Sequence, residues 1–419
     1  MMIQAFYTGV SGLKTHQSAI DVVSDNIANI STIGFRGYRP EFSSIFEETL
    51  NSTSAKPTND TSGYGVRLNA TAMDRGQGSI LLSERSTDLA IVGNGWFGVS
   101  GGPDTMYTRA GNFTFDLNSD LVTTDGHYVL GTMGKNISPN GELTTILSEV
   151  KLGEVGTQEK LRFPNNLTYP PEASTMAKFI GNIGTEDAVQ TIGAGVVDPQ
   201  NNKNHLRLSF TKIIPQVLPG SQWEVVATTQ TLDGQTIYDT QTGRADFNAS
   251  GGLISTNLTT INNNGAQVSI DMGSGFDGVV AISNVPPSAS SVSDGTIGGD
   301  LIGYSISRNA EVIATFTNGM QSSVGKIAVY HFVNEQGLER AGGANFIKSS
   351  NSGEPIFYKD ASGQNIIGTD VVNFNLENSN VRMDVALTDL IILQKSYDAN
   401  AKCVTTADQM IQKALQMHK

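Results

Sequence analysis

The sequence predicts a mixed, mainly β fold with a long helix at each end. Three observations carry that prediction. Apolar residues recur in a three-four rhythm in the first and last segments. Between those segments the period drops to two. Glycine reaches 45 of 419 residues, against a usual ~7%, and Asn, Ser and Thr are abundant, as many short strands joined by tight turns require.

In the first segment the apolar residues fall at Ile3, Phe6, Val10, Leu13, Ile20 and Ile27, with Gln17 and Ser24 at the remaining seam positions. This is a heptad seam. A helix over 3–29 would be roughly 40 Å long at 1.5 Å per residue. No proline interrupts it, and Gly34 follows the last periodic turn, where a left-handed exit is cheap. The last segment repeats the pattern. Leu390, Leu393, Tyr397, Val404, Ala407, Ile411 and Ala414 fall on one stripe, which Leu387, Ala401 and Leu415 widen. Lys413 and Lys419 sit near its end, where cations suit the helix dipole. Neither helix can cover its seam alone, and a long helix draws most of its stability from packing that face. An antiparallel pair within one chain satisfies this, and so does a seam that also packs on further copies of the chain. Polar residues at seam positions, Gln17, Ser24 and Asn400, favour the second arrangement, because they weaken a simple pair but specify register.

In the middle, "HLRLSFTKII" alternates Leu206, Leu208 and Phe210, and "QWEVVATT" alternates Trp223, Val225 and Ala227. Asp125–Gly126 and Asp233–Gly234 are hairpin signals. "YSISRNAEVIATF" places a turn at Arg308–Asn309 between two strands. Residues 240–300, rich in Gly, Ser, Thr and Asn, read as loops and edge strands. "AIVGNGWFGVSGG" matches G-x-G-x-x-G at Gly93, Gly95 and Gly98. A dinucleotide turn needs a helix next, so that the pyrophosphate can sit on its N-terminal amides. Ser100, Gly101, Gly102 and Pro103 cannot supply one. The expectation is a hairpin, with the turn at Gly93–Asn94–Gly95 joining strand Leu89–Val92 to a second strand at "WFGV".

Charge and chemistry exclude several classes. The net charge is −13 with no Lys/Arg cluster, so a nucleic-acid partner is not expected. The single cysteine, Cys403, rules out an internal disulfide or a Cys-based zinc site. "DLNSDLVTTDGH" fails as a calcium loop, with Leu121 where glycine is needed and His127 where a bidentate glutamate belongs. The five histidines form no metal-binding pair and no nucleophile elbow occurs. No catalytic, cofactor-binding or metal residues are therefore assigned, and the reading is that the protein is not an enzyme. No apolar run approaches the ~18 residues of a membrane span. The first residues lack the basic and apolar regions of a cleavable signal, so any export would use another route.

Several segments resemble a known family. "YTGVSGLKTHQSAIDVVSDNIANISTIGFRGYRPEF" (7–42) and "LENSNVRMDVALTDLIILQKSYDANAKCVTTADQMIQKALQM" (376–417) closely resemble the terminal signatures of the bacterial flagellar rod, hook and hook-associated axial proteins. Residues 78–99 and 107–131 resemble the first β domain of the rod and hook members, and 306–355 its returning half. An insert over 156–299 matches the hook branch, while a distal-rod or hook-related paralogue is the alternative.

The resemblance implies nested, discontinuous domains. Residues 1–30 and 381–419 would form an inner coiled-coil-like domain, and 31–85 with 362–380 a connecting segment. Residues 86–155 and 300–361 would form a first β domain, and 156–299 an outer one. It implies a structural subunit polymerising into a curved, flexible tube that transmits torque from rod to filament. The assembly seam would be Ile3, Phe6, Val10, Leu13, Ile20, Ile27, Leu390, Leu393, Tyr397, Val404 and Ile411. The implied partners are further copies of the chain, a rod protein, a hook cap, a hook–filament junction protein and the flagellar type III export apparatus, with no membrane insertion. The implied location is the basal body and hook, outside the cell after export.

Overall fold

The computed structural model describes residues 2–45, 47–49, 61–102, 104–216 and 219–417. Lys419 and Pro103, and residues 50–60 of the connecting segment, lie outside them. Helix α1 spans Met2–Ala28 and helix α2 spans Met383–Gln416. Asp384 in the first turn of α2 and Lys413 in its last both complement the helix dipole. The helices pack antiparallel, since Gly9 meets Val404, Gly12 meets Asn400, and Ala19 and Val23 share a small core with Ala386 and Leu393.

After α1 the chain turns at Thr32–Gly34, where Gly34 takes a left-handed φ of 68°. A two-stranded ribbon follows, Tyr38–Ser44 against Val66–Met73. It lies along α1, where the Thr15 hydroxyl donates to the Val66 carbonyl at 3.0 Å and the Val66 amide donates to Ser11 Oγ at 3.3 Å.

The first β body is built from both halves of the chain. Its main sheet runs through Gly299–Ile306, Glu311–Phe316, Gln321–Ile327, Tyr128–Met133, Trp96–Ser100 and Thr105–Thr108 to Asn345–Ile347 and Glu339–Gly342. Phe97, Phe113, Leu161, Phe163, Val312 and Phe316 are fully or almost fully buried in its core. A second cluster stacks Trp96, Tyr107, Phe332 and Phe346 edge to face, and Met73 and Tyr38 of the ribbon pack onto it.

The second β body has its own core. Gln190–Val197, Lys203–Lys212, Ser221–Thr231, Ile237–Phe247 and Gly252–Thr256 follow one another antiparallel. Met176–Asn182 pairs parallel with Ala266–Asp271 and Gly273–Val280, and antiparallel with Ser290–Ser293. That last strand reaches the free edge of the first through side chains: Ser291 Oγ donates to the Gly193 carbonyl at 2.7 Å and Ser293 Oγ to the Gly195 carbonyl at 2.6 Å. The two bodies are joined by a paired neck. There Glu172 and Thr296 exchange both backbone hydrogen bonds, at 2.8 and 2.9 Å, beside Pro170–Pro171 on one strand and Gly295 on the other.

The predicted helices and the hairpins at Asp125–Gly126 and Asp233–Gly234 form, and Arg308–Asn309 makes its turn with Asn309 at φ 63°. Three expectations need correction. Residues 240–300 hold five whole strands and parts of two more, with Ile237–Phe247 in the sheet interior. Their Thr and Ser face outward, while Ala245, Phe247, Ile261, Val268 and Val279 fill the core. The glycine turn joins strands that are not hairpin partners. Leu89–Val92 pairs with Asp370–Asn373, and Trp96–Ser100 pairs within the main sheet. Gly93 and Gly95, at φ 102° and 135°, turn the chain between them. Finally, the first body continues past 155, because Leu161, Phe163, Leu167 and Tyr169 are buried in its core. Segment 362–380 likewise contributes Ile367 and Val371 to that core.

Candidate assembly surface

Helix α1 meets α2 along its small residues. Gly9, Gly12, Ala19, Val23 and Asn26 are buried, a stripe one position N-terminal to the heptad positions. A Cβ at Gly12 would sit 2.5 Å from Asn400 Oδ1, and one at Gly9 would sit 2.7 Å from Val404 Cγ2. The bare backbone therefore lets the helices approach closely. The heptad residues of α1 fall beside this contact. Phe6, Leu13, Ile20 and Ile27 are half-buried and Val10 is exposed. Ile3 lies in α1, but its side chain is outside the described set.

On α2, Leu390 and Leu393 pack with Ala19 and Val23 of α1, and Val404 lies against Gly9. Leu393 is buried, and Leu390, Tyr397, Val404 and Ile411 are half-buried. A second apolar face is left open: Met383, Leu387, Ile391 and Ile392 are exposed, the last two at 58% and 57%. Together with Tyr7 and Val10 of α1, these give the helical pair more apolar surface than one chain covers. Beside it a cleft of about 280 Å³ opens between α1, the ribbon and α2, floored by Val23, Tyr38, Val381 and Ala386 and rimmed by Arg39 and Asp389.

The pair is tied to the first β body at a buried charged junction. Glu377 stands between two arginines, with Oε1 3.0 Å from Arg36 Nη2 and Oε2 3.2 Å from Arg109 Nη1. All three side chains are at least 97% buried. Arg36 also donates to the Gly76 carbonyl, and Arg109 to the carbonyls of Gly93 and Ile91. Burial pulls the Arg109 guanidinium down to about 10; Glu377 works against that shift and Arg36 adds to it. Asn26 exchanges two hydrogen bonds with the Tyr38 backbone at 2.7 and 2.9 Å. Arg340 of the β body lies over the rings of Phe35 and Tyr38 and pairs with Asp25 of α1 at 2.5 Å. Sequence reading missed these charged residues, which have no periodicity. The Gly9–Gly12 spacing on an amphipathic helix is the one sequence signal of close approach.

The G-x-G-x-x-G glycines serve packing. Gly95 leaves room for Val329 and His331, and Gly98 for the Tyr330 ring. A strand, Trp96–Ser100, follows the turn where a dinucleotide site needs a helix. Among the described residues no helix is long and apolar enough to cross a membrane, and no cluster of three metal-ligating side chains occurs.

Three family models match the chain: "Flagella basal body rod protein" over 6–36, "Flagellar hook protein FlgE/F/G D1 domain" over 90–174, and "Flagellar basal body rod FlgEFG protein C-terminal" over 373–417. The flagellar hook protein FlgE of Borreliella burgdorferi is 27% identical, with 99% of this chain and 100% of that protein aligned. Over nearly its whole length the chain is similar to flagellar hook proteins. FlgE of Treponema pallidum is 24% identical over the full length of both chains, and FlgE of Escherichia coli is 26% identical over 97% of this chain and 98% of that one. The alignments run through the insert, so the rod alternative is not favoured. The crystal structure of Helicobacter pylori FlgE2 superimposes with a TM-score of 0.50 at 16% identity, covering 71% of this chain and all of that one, which supports the shared fold.

Proposed function

We infer that the chain is a structural subunit of the flagellar hook, polymerising into a curved, flexible tube that carries torque from rod to filament. The observation that carries this reading is the near full-length match to hook proteins in a chain whose helical pair leaves Met383, Leu387, Ile391 and Ile392 uncovered. A tube built by repeating one heterologous contact is open-ended, and such a contact needs an apolar face that is free on each incoming copy. The inner wall forms from the terminal helices. Of the expected seam residues, Phe6, Val10 and Leu13 lie toward neighbouring copies and Ile20 and Ile27 border the paired face, while Leu390, Leu393, Tyr397, Val404 and Ile411 hold the pair together. The second β body lies outside the first. Assembly follows the rod, proceeds under a cap, and ends at a junction protein, with subunits delivered outside the cell by the type III export apparatus. The role is mechanical, in keeping with a structural family, and no catalytic step is assigned.

The test separates the free face from the paired one. Ile391→Asp places a charge on a side chain that is exposed in the single chain. Its monomer should keep wild-type circular dichroism and melting, yet form no tubes by electron microscopy and leave cells non-motile. Tubes of normal number and length from this variant would refute the inner-wall role of α2.

A further inference from the structure

The segment just before α2 does more than lead into it. Residues 375–380 complete the fold of a stretch near the start of the chain. Asn375–Glu377 pairs with Ile80–Leu82. The Gly34 amide donates to the Glu377 carbonyl at 2.8 Å, and the Gly78 amide donates to Glu377 Oε1 at 3.0 Å. Asn380 accepts from the Gly37 amide at 2.8 Å and donates to the carbonyls of Asp74 and Gly76 at 2.9 and 2.8 Å. Most of the polar bonds that hold 34–37 and 74–78 in place therefore come from residues about 300 positions later in the chain.

Glu377 is the electrostatic centre of this arrangement. Arg36 and Arg109 approach each other across it, and it is the carboxylate both arginines bond. Without it the junction would enclose two guanidiniums with no carboxylate bonded to either. An unpaired buried charge is far costlier than a buried pair.

We propose that Glu377 is a completion latch: its carboxylate must dock between Arg36 and Arg109 before residues 34–37 and 74–78 settle on the first β body. The exit of α1 is then fixed only when the C-terminal segment has arrived. A chain whose last part is still unfolded holds a loose N-terminal junction, whatever the state of its β cores. This device concerns the folding of one chain and stands independently of the hook reading.

Glu377→Gln tests it in the full-length protein, because glutamine keeps the shape and can still accept from Gly78 while the charge is lost. Hydrogen exchange read by mass spectrometry should rise at least tenfold in peptides covering 30–40 and 74–80. Peptides covering 203–212 and 221–231, in the second β core, should stay at wild-type rates. Glu377→Gln combined with Arg36→Met removes one of the two stranded cations, and protection at 74–80 should partly return. Unchanged exchange in Glu377→Gln would overturn the latch. So would a rise shared equally by the second core, or a double variant looser than the single one, since both would make Glu377 an ordinary packing residue.

Discussion

Gly9 and Gly12 set how closely the terminal helices approach. Alanine in place of a mid-helix glycine would add about 1 kcal/mol of helix propensity. A larger side chain at Gly12 drives into Asn400, and overpacking of that kind costs about 1–3 kcal/mol. Gly12→Leu should therefore lose the pairing despite its better propensity: α1 and α2 should become sensitive to protease, and tubes should be few. A variant as protected as wild type would show that Asn400 gives way freely. His331 supplies a second residue-scale prediction. It is 2% exposed, its Nε2 bonds the Ile367 carbonyl at 2.6 Å, and its Nδ1 has no partner. Burial holds its pKa below the usual 6.5, outweighing the Ile367 bond, and burial does the same to His16. The unfolded chain then takes up protons before the folded one, so stability present above pH 6.5 is lost as pH falls below it. Urea midpoints should drop between pH 6.5 and 5.5, and His331→Gln should flatten part of that drop. A wild-type midpoint constant across this window would contradict the assignment.

Elements show which features a sequence makes legible. The helices and the Asp-Gly hairpins form where expected because their causes are local: a repeating apolar period, and glycines at φ 79° and 71°. The rotation of α1 was not legible. Phe6, Leu13 and Ile20 are the larger apolar residues, so periodicity points to them, yet close approach favours the small residues one step away. The glycine turn at 93–95 closes no hairpin because the strand before it pairs far along the chain, with Asp370–Asn373, while the strand after it pairs with Thr105–Thr108 and Val329–Tyr330. The Arg36–Glu377–Arg109 junction escaped for the same reason, since no window of sequence contains all three. Two hydroxyls also act at this scale. Ser291 and Ser293 occupy the carbonyls of Gly193 and Gly195 on a strand whose other neighbour is Lys203–Lys212. Each such bond contributes about 0.5–1.5 kcal/mol, and together they cap an edge otherwise open to strand addition. The Ser291→Ala, Ser293→Ala double variant should lower the melting temperature modestly and raise exchange across Gln190–Val197. Exchange confined to wild-type rates there would show that the hydroxyls are dispensable.

Across the whole molecule, the helical pair, ribbon and first β body form one connected unit, with the second β body beyond the neck. Glu172 and Thr296 face each other in that neck, so a short linker can bridge the strands it holds. Replacing 175–294 with a Gly/Ser linker should leave the first core folded, with its aromatic near-ultraviolet signal retained. On the reading proposed above, such chains should still build tubes, but straighter ones, and cells carrying them should swim poorly. Failure of the first body to fold without the insert would show that the cores depend on each other. Normal curvature and motility would show that the second body does not shape the tube.

The neck has a further consequence, for heredity. Because the chain leaves and returns through one short paired neck, with Asn201 of the insert reaching back only to the Gly298 amide, a lengthened, shortened or exchanged insert need not change the register of the strands on the inner side. Lineages can therefore rewrite the part beyond Glu172 and Thr296, under whatever pressure their surroundings impose, without renegotiating the contacts on which the rest of the molecule depends.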